Sequence, residues 1–262
     1  KLIPQNTEVE SAGRIYGTLE SEIRLKGVRL DSLRSRATKP RLQRTDVAIK
    51  SGMRVAVIGP MGSGKTSLLR LIAGIERPSK GILCWDDEPI SSTDDRLREQ
   101  VGYLSQVPVF SPIPVWSILG LSGPEAGHPA EMKSILQELG IEKLLKRLPK
   151  GMREKVASST LSQNEARSLR LAKILMGSDS VWVLDDPLMG AVSRKKVSRR
   201  LETIFQQAKG RTVIVGLSRN SSLEIFDRVL VLRKGHIVFE GTPIEWKEAK
   251  NESADSGSRS WI

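Results

Sequence analysis

Between Gly59 and Thr66 the chain reads GPMGSGKT, with Gly59, Gly64, Lys65 and Thr66 at the spacing G-x-x-x-x-G-K-[ST]. Glycines in such a loop let consecutive backbone N–H groups turn inward on one anion, the lysine reaches the terminal phosphates, and the hydroxyl beside it holds magnesium. The pattern predicts a nucleoside triphosphate site built from Gly59, Pro60, Met61, Gly62, Ser63, Gly64, Lys65, Thr66 and Ser67. A carboxylate for the metal is offered by Asp185, which closes the apolar run VWVL (Val181 to Leu184) where phosphate-loop enzymes place such an aspartate. Asp186 follows it directly.

These residues need a strand before the loop and a helix behind it. RVAVI (Arg54 to Ile58) reads as a buried parallel strand and TSLLRLIA (Thr66 to Ala73) as the helix whose N-terminus faces the anion. Further strands are predicted in Ser21 to Leu30, Gly81 to Trp85, Ser180 to Leu184 and Thr212 to Val215. Met132, Ile135, Leu136 and Leu139 share one helix face, a short helix follows near Ile141 to Leu148, and Val197, Leu201, Ile204 and Phe205 share another face. Ser91 to Asp95 can cap a short helix running through Glu99, with Asp94 and Asp95 as cap residues. Arg228 to Leu232 and Ile237 to Glu240 flank Lys234-Gly235 as a hairpin. Strands alternating with helices predict an α/β fold with a mainly parallel sheet, interrupted by a helical insertion from Pro112 to about Gly177. Residues 1–20 read as a linker and 249–262 as a flexible polar tail.

The chain has 262 residues, 39% apolar and 27% charged, an ordinary globular mixture. No segment approaches the roughly 20 apolar residues that cross a bilayer, and the opening KLIPQNTEVE has no apolar core of a signal peptide. The single cysteine, Cys84, excludes an internal disulfide and suits a reducing compartment. A net charge of +12 admits nucleic acid, anionic lipid or an acidic partner. Its densest part, Arg24, Lys26, Arg29, Arg34, Arg36, Lys39, Arg41 and Arg44, lacks interleaved aromatics, so it is read as a solvated face, and a nucleic-acid partner is not expected. Arg194, Lys195 and Lys196 crowd a helix's first turn, where the dipole disfavours cations.

The order of further features resembles the nucleotide-binding domain of ATP-binding cassette transporters across nearly the whole chain. Gln106, in VGYLSQVPVF, falls at the family's Q-loop glutamine, and Leu161-Ser162-Gln163-Asn164-Glu165 at its LSGGQ signature. Leu171-Ala172-Lys173-Ile174-Leu175 continues like its LARAL, Asp185-Asp186-Pro187 stands at its D-E-P, and Val229 to Gly241 resembles the stretch after its switch histidine. Leu148-Pro149-Lys150-Gly151 and Phe110 to Ile118, with Arg98 to Tyr103, resemble exporters used for protein or peptide secretion in bacteria. The resemblance implies a phosphate-loop core with an N-terminal antiparallel β subdomain and an inserted α-helical signature subdomain, in a domain spanning 21–248. It implies ATP and Mg2+ as cofactors, with Thr66, Gln106 and Asp185 about the metal, Ser162 reaching nucleotide, and Asp186 and Ser218 at the catalytic positions. A second nucleotide-binding domain, as homodimer or heterodimer, and a transmembrane domain on the same or another chain are the implied partners. The implied place is the cytoplasmic face of a membrane, the bacterial inner membrane first, with this chain a domain of a longer one or a docking subunit.

Four features depart from the family. Asp186 replaces the glutamate that orients water, and is one methylene shorter; Ser218 replaces the switch histidine, and the two histidines, His128 and His236, lie elsewhere. No aromatic stands near Ser32 to stack on adenine, and Gln163 and Asn164 replace both signature glycines. In the family's dimer each site joins one chain's phosphate loop to the other's signature, so these changes reach both sites. The expectation is an ATP-binding domain with slow or absent hydrolysis, coupled to a membrane partner. A nucleotide-dependent dimerisation or regulatory module, and an ATPase acting on nucleic acid, are the alternatives. The latter is disfavoured by the lack of sustained heptads between Lys65 and Asp185.

Overall fold

The computed structural model describes residues 19–32, 40–90, 100–124, 130–188, 190, 193–218 and 222–255. Its N-terminal part contains β1 (Glu22–Leu30), β2 (Leu42–Lys50), β3 (Arg54–Ile58), α1 (Lys65–Ile72), β4 (Lys80–Trp85) and β5 (Glu88–Pro89). Then come β6 (Val101–Leu104), β7 (Ile113–Pro114), α2 (Val115–Ile118), α3 (Ala130–Glu138), α4 (Ile141–Arg147), β8 (Lys155–Val156) and α5 (Gln163–Met176). The chain continues through β9 (Val181–Asp185), α6 (Arg194–Ala208), β10 (Thr212–Leu217), β11 (Arg228–Arg233), β12 (His236–Gly241) and α7 (Pro243–Asp255).

The central sheet has the order β12-β11-β3-β10-β9-β6, with every pair parallel except β11 and β12. Strands buried on both faces explain the unbroken apolar runs of the sequence. Their side chains alternate between two cores. Ala56, Ile58, Trp182, Leu184, Val213, Val215, Val229 and Val231 point into one, together with α3, α5 and α6. Val55, Val57, Val181, Val183, Ile214, Leu230 and Leu232 point into the other, with α1 and the antiparallel sheet β2-β1-β4-β5. Period-two alternation thus makes a three-layer arrangement in which α1 is enclosed between the two sheets.

The periodic helices bury the faces that the sequence marked. Met132, Ile135, Leu136 and Leu139 are buried, as are Val197, Leu201, Ile204 and Phe205, all in the first core. Ser193 Oγ accepts from the Lys196 amide at 3.3 Å, so a side-chain cap starts α6 despite its basic first turn. The anticipated cap at Ser91 to Asp95 lies outside the described residues. Helix α7 runs to Asp255, into the stretch read as tail, and 256–262 lie outside the described residues.

The antiparallel sheet is tied down at its corner by Asp86. This residue takes a left-handed φ of 47°, and its carboxylate accepts from the amides of Glu20, Ser21 and Glu22 at 3.0, 2.7 and 3.0 Å. Much of the basic cluster is paired with acids: Arg24 with Glu22, Lys26 with Asp87, Arg29 with Asp31, Arg41 with Glu76 and Arg44 with Asp46. Arg34, Arg36 and Lys39 lie outside the described residues.

Candidate nucleotide-binding site

The C-terminal ends of β3, β9 and β10 converge, as ligand-binding ends of open α/β sheets do. Gly216 pairs with Val57 on one side and with Asp185 on the other, so the loop after Ile58, the carboxylates after Leu184 and Ser218 meet at one edge. Gly59 has φ 151°, and a Cβ there would sit 2.2 Å from the Leu232 carbonyl oxygen and 2.8 Å from Ser63 Oγ. Gly64, at φ 108°, leads into α1, whose first turn has neither a side-chain cap nor an acid. Its free amides face the loop, which is the arrangement that attracts an anion.

Lys65 Nζ donates to the carbonyls of Gly59 at 2.6 Å and Pro60 at 3.0 Å. Burial pushes its ammonium below the ordinary lysine range, against the attraction of Asp185 and Asp186. Thr66 Oγ1 donates to Asp185 Oδ2 at 2.7 Å, joining α1 to the end of β9. Burial pushes the Asp185 carboxyl upward and Asp186 adds to this, while the Thr66 bond, Lys65 and Arg167 oppose it. Ser63 and Ser67 are buried, Pro60 and Gly62 are exposed, and Met61 is fully exposed.

These residues fit a nucleoside triphosphate with magnesium. Ser63 Oγ is buried without a hydrogen-bond partner among the described residues, and Lys65 is met only by carbonyls, both of which suit incoming phosphate oxygens. No group of three His, Cys, Asp or Glu side chains among the described residues could hold a metal by itself. Magnesium does not need one, since it is commonly held by one or two carboxylates together with substrate phosphates.

Asp186 has a left-handed φ of 56° and its amide donates to the Gly216 carbonyl at 2.9 Å. Its carboxylate accepts from Ser218 Oγ at 3.0 Å, so the two residues close on each other. Gln106 exposes its side chain while its backbone carbonyl accepts from Arg167 Nη2. Ser162 caps α5 in a capping box with Glu165: its Oγ donates to Glu165 Oε2 at 2.8 Å and its amide donates to the same oxygen at 2.9 Å. Partial burial raises the Glu165 carboxyl, but the Ser162 bonds and Arg147, 2.6 Å away, outweigh this and leave it below the usual range. Asn164 covers Gly190, where a Cβ would come within 2.7 Å of its Oδ1.

Residues 42–189 match the ABC transporter family model. The chain belongs to the ABC transporter family. It is 32% identical over 204 residues to the glutathione/L-cysteine transport system ATP-binding/permease protein CydC of Haemophilus influenzae, covering 76% of this chain and 35% of that protein. It is likewise 32% identical over 245 residues to the sulfate/thiosulfate import ATP-binding protein CysA of Brucella melitensis, covering 88% of this chain and 64% of that one. The chain therefore spans between about a third and two thirds of these relatives' lengths. A bacterial Atm1-family ABC exporter solved with ATP bound superposes with a TM-score of 0.77 at 23% identity, over 96% of this chain and 44% of that one, which establishes the fold.

Within this ABC fold, the sheet brings the phosphate loop, Asp185, Asp186 and Ser218 together. Ser162 is not joined to them: its hydrogen bonds stay within its own helix end. Gln106 is held through its backbone rather than its side chain. Sequence reasoning missed Arg167 as the partner of the Gln106 carbonyl, and nothing local signals it. It also missed the charge that Glu165 brings to the signature, although the S-x-x-E spacing of Ser162 and Glu165 was there to be read.

Proposed function

We propose that this chain is the ATP-binding domain of an ABC transporter that takes Mg-ATP and turns it over slowly or not at all. The observation that carries the reading is the contrast between two ends of one site. The loop from Gly59 to Ser67 is shaped for phosphate and linked through Thr66 to Asp185, whereas Asp186 is short and engaged with Ser218. Magnesium, when bound, supplies neutralisation of the charge that builds on phosphate oxygens. The Lys65 ammonium and the α1 amides bind the anion, and Thr66 and Asp185 offer the metal two oxygens. Asp186 is the base position, and its carboxylate is held by Ser218, which offers one hydroxyl and no charge. Titration calorimetry with Mg-ATP, beside a phosphate-release assay, tests both halves: binding with turnover far below one per second is expected, and several per second overturns the slow half.

Coupling of nucleotide occupancy to a second nucleotide-binding domain and to a transmembrane partner is part of the proposal. Its support is the likeness to CydC and to the Atm1-family exporter, with the CysA likeness keeping an importer open. No helix among the described residues is long and apolar enough to cross a membrane, so the partner's span belongs to other residues or another chain. A cytoplasmic membrane face is the proposed location. A second reading, a nucleotide-dependent dimerisation or regulatory module, draws support from Ser162, whose hydroxyl is already engaged by Glu165. A nucleic-acid role draws little, since five cations of the basic cluster are paired with carboxylates.

A further inference from the structure

Arg167 is the one charged residue on α5 that the structure buries, at 4% exposure. Its Nη2 donates to the Gln106 carbonyl, while Nε and Nη1 have no hydrogen-bond partner among the described residues. A guanidinium offers five N–H donors, and burying a cation with donors unmet is costly. Burial holds it below the ordinary arginine range, against the attraction of Asp186 first and Asp185 second. A buried cation on α5, which lines the other core from α1, is thus within electrostatic reach of the two carboxylates that end β9.

A terminal phosphate would bring negative charge to the Lys65, Thr66 and Asp185 end of the site. Two carboxylates already stand there, Asp185 and Asp186, both drawn to the Lys65 ammonium. Beside the metal, a further positive charge favours an added anion at that end, and Arg167 is the buried cation among the described residues. The same side chain also fixes the backbone of the loop that carries Gln106.

We propose that Arg167 is a positioning residue that gives this site its preference for a nucleoside triphosphate over the diphosphate, by holding the Gln106 loop and by placing a positive charge within electrostatic reach of Asp185 and Asp186. The proposal rests on the ATP-binding reading above. A diphosphate brings no terminal phosphate to that end, so its affinity is expected not to depend on this side chain.

The test is titration calorimetry of the full chain with Mg-ATP and with Mg-ADP, in the native protein, R167Q and R167K. R167Q is expected to lose about fivefold of the ATP-over-ADP preference with ADP affinity unchanged. R167K keeps a charge but not the planar fork, so its expected loss is smaller, about threefold. A merely structural arginine would weaken both nucleotides together, and that result, or an unchanged ratio, overturns the inference. Should R167Q fail to fold, an unchanged ratio in R167K overturns it as well. A native chain that binds neither nucleotide overturns the ATP-binding reading and this inference with it, whereas one that binds ATP with a ratio insensitive to Arg167 overturns the inference alone.

Discussion

Replacing Asp186 by glutamate and Ser218 by histidine together asks which side chains limit turnover. Asp186 is fixed at three points: a left-handed φ of 56°, an amide bonded to Gly216, and a carboxylate 3.0 Å from Ser218. Glutamate adds one carbon to the side chain, about 1.5 Å of bond length, and carries the carboxylate beyond the reach of the Ser218 hydroxyl. The single D186E variant is therefore left without its anchor, and it loses some of the ease with which aspartate occupies the left-handed region, at a cost of about 1 kcal/mol. An imidazole at 218 extends further than a hydroxyl, so it can regain the longer carboxylate and can also carry charge. If a displacement of about 1 Å in a positioning group costs about a hundredfold, the double variant should recover that factor, about 2.7 kcal/mol of barrier, with each single variant gaining far less. Phosphate release at saturating Mg-ATP, with ATP affinity measured beside it, reads the outcome. A double variant that binds ATP like the native chain yet turns over no faster refutes the idea that these two positions set the rate. Equal gains from D186E alone and from the pair refute the coupling between them.

Gly59→Ala places a methyl 2.2 Å from the Leu232 carbonyl oxygen, so urea denaturation should show a loss of about 3 kcal/mol; a loss below about 1 kcal/mol contradicts the observed closeness. Asp86→Ala removes the acceptor for three amides on Glu20, Ser21 and Glu22, at an expected cost of about 2 kcal/mol, and faster exchange confined to those amides and their neighbours locates the effect. Asp185→Asn bears on pH: burial raises this carboxyl in the metal-free protein, so folding binds a proton, and stability present at low pH is lost as pH rises through the raised value. In EDTA the asparagine variant should lack that decline and melt about 2 °C higher at neutral pH, while losing the magnesium dependence of ATP binding. A lower melting temperature than the native chain sinks the burial argument.

The loop and its flanking elements were legible because their determinants are local. RVAVI, GPMGSGKT and TSLLRLIA sit within twenty residues, and periodicity alone assigned Val197, Leu201, Ile204 and Phe205 to one buried face. Resemblance to a family placed Asp186 and Ser218 at related positions, but their bond to each other depends on the pairing of Gly216 with Asp185 across two strands. The Asp86 clip joins residues more than sixty positions apart, and Arg167 meets Gln106 across sixty-one. No spacing rule reaches such distances. The two signature substitutions were visible as lost glycines, yet the consequence at Asn164, which covers Gly190, needed the packing of α5 against the segment after β9.

The glycines of the two motifs differ in what they are needed for. At Gly59 a side chain would collide with the Leu232 carbonyl and with Ser63, so the fold itself demands glycine there whether or not nucleotide is ever cleaved. Gln163 opens α5 as an ordinary helical residue behind the Ser162 cap, and Asn164 fits over Gly190, so the fold makes no such demand on the signature. An intact phosphate loop is consequently evidence for a backbone that can hold phosphate, and only weak evidence for turnover. On the proposed reading, turnover depends on side-chain reach at Asp186 and Ser218, which close on each other at 3.0 Å. The physical division is between a loop backbone that the fold itself holds in place at Gly59 and side chains such as Asp186 and Ser218, which can change while the fold stays as it is.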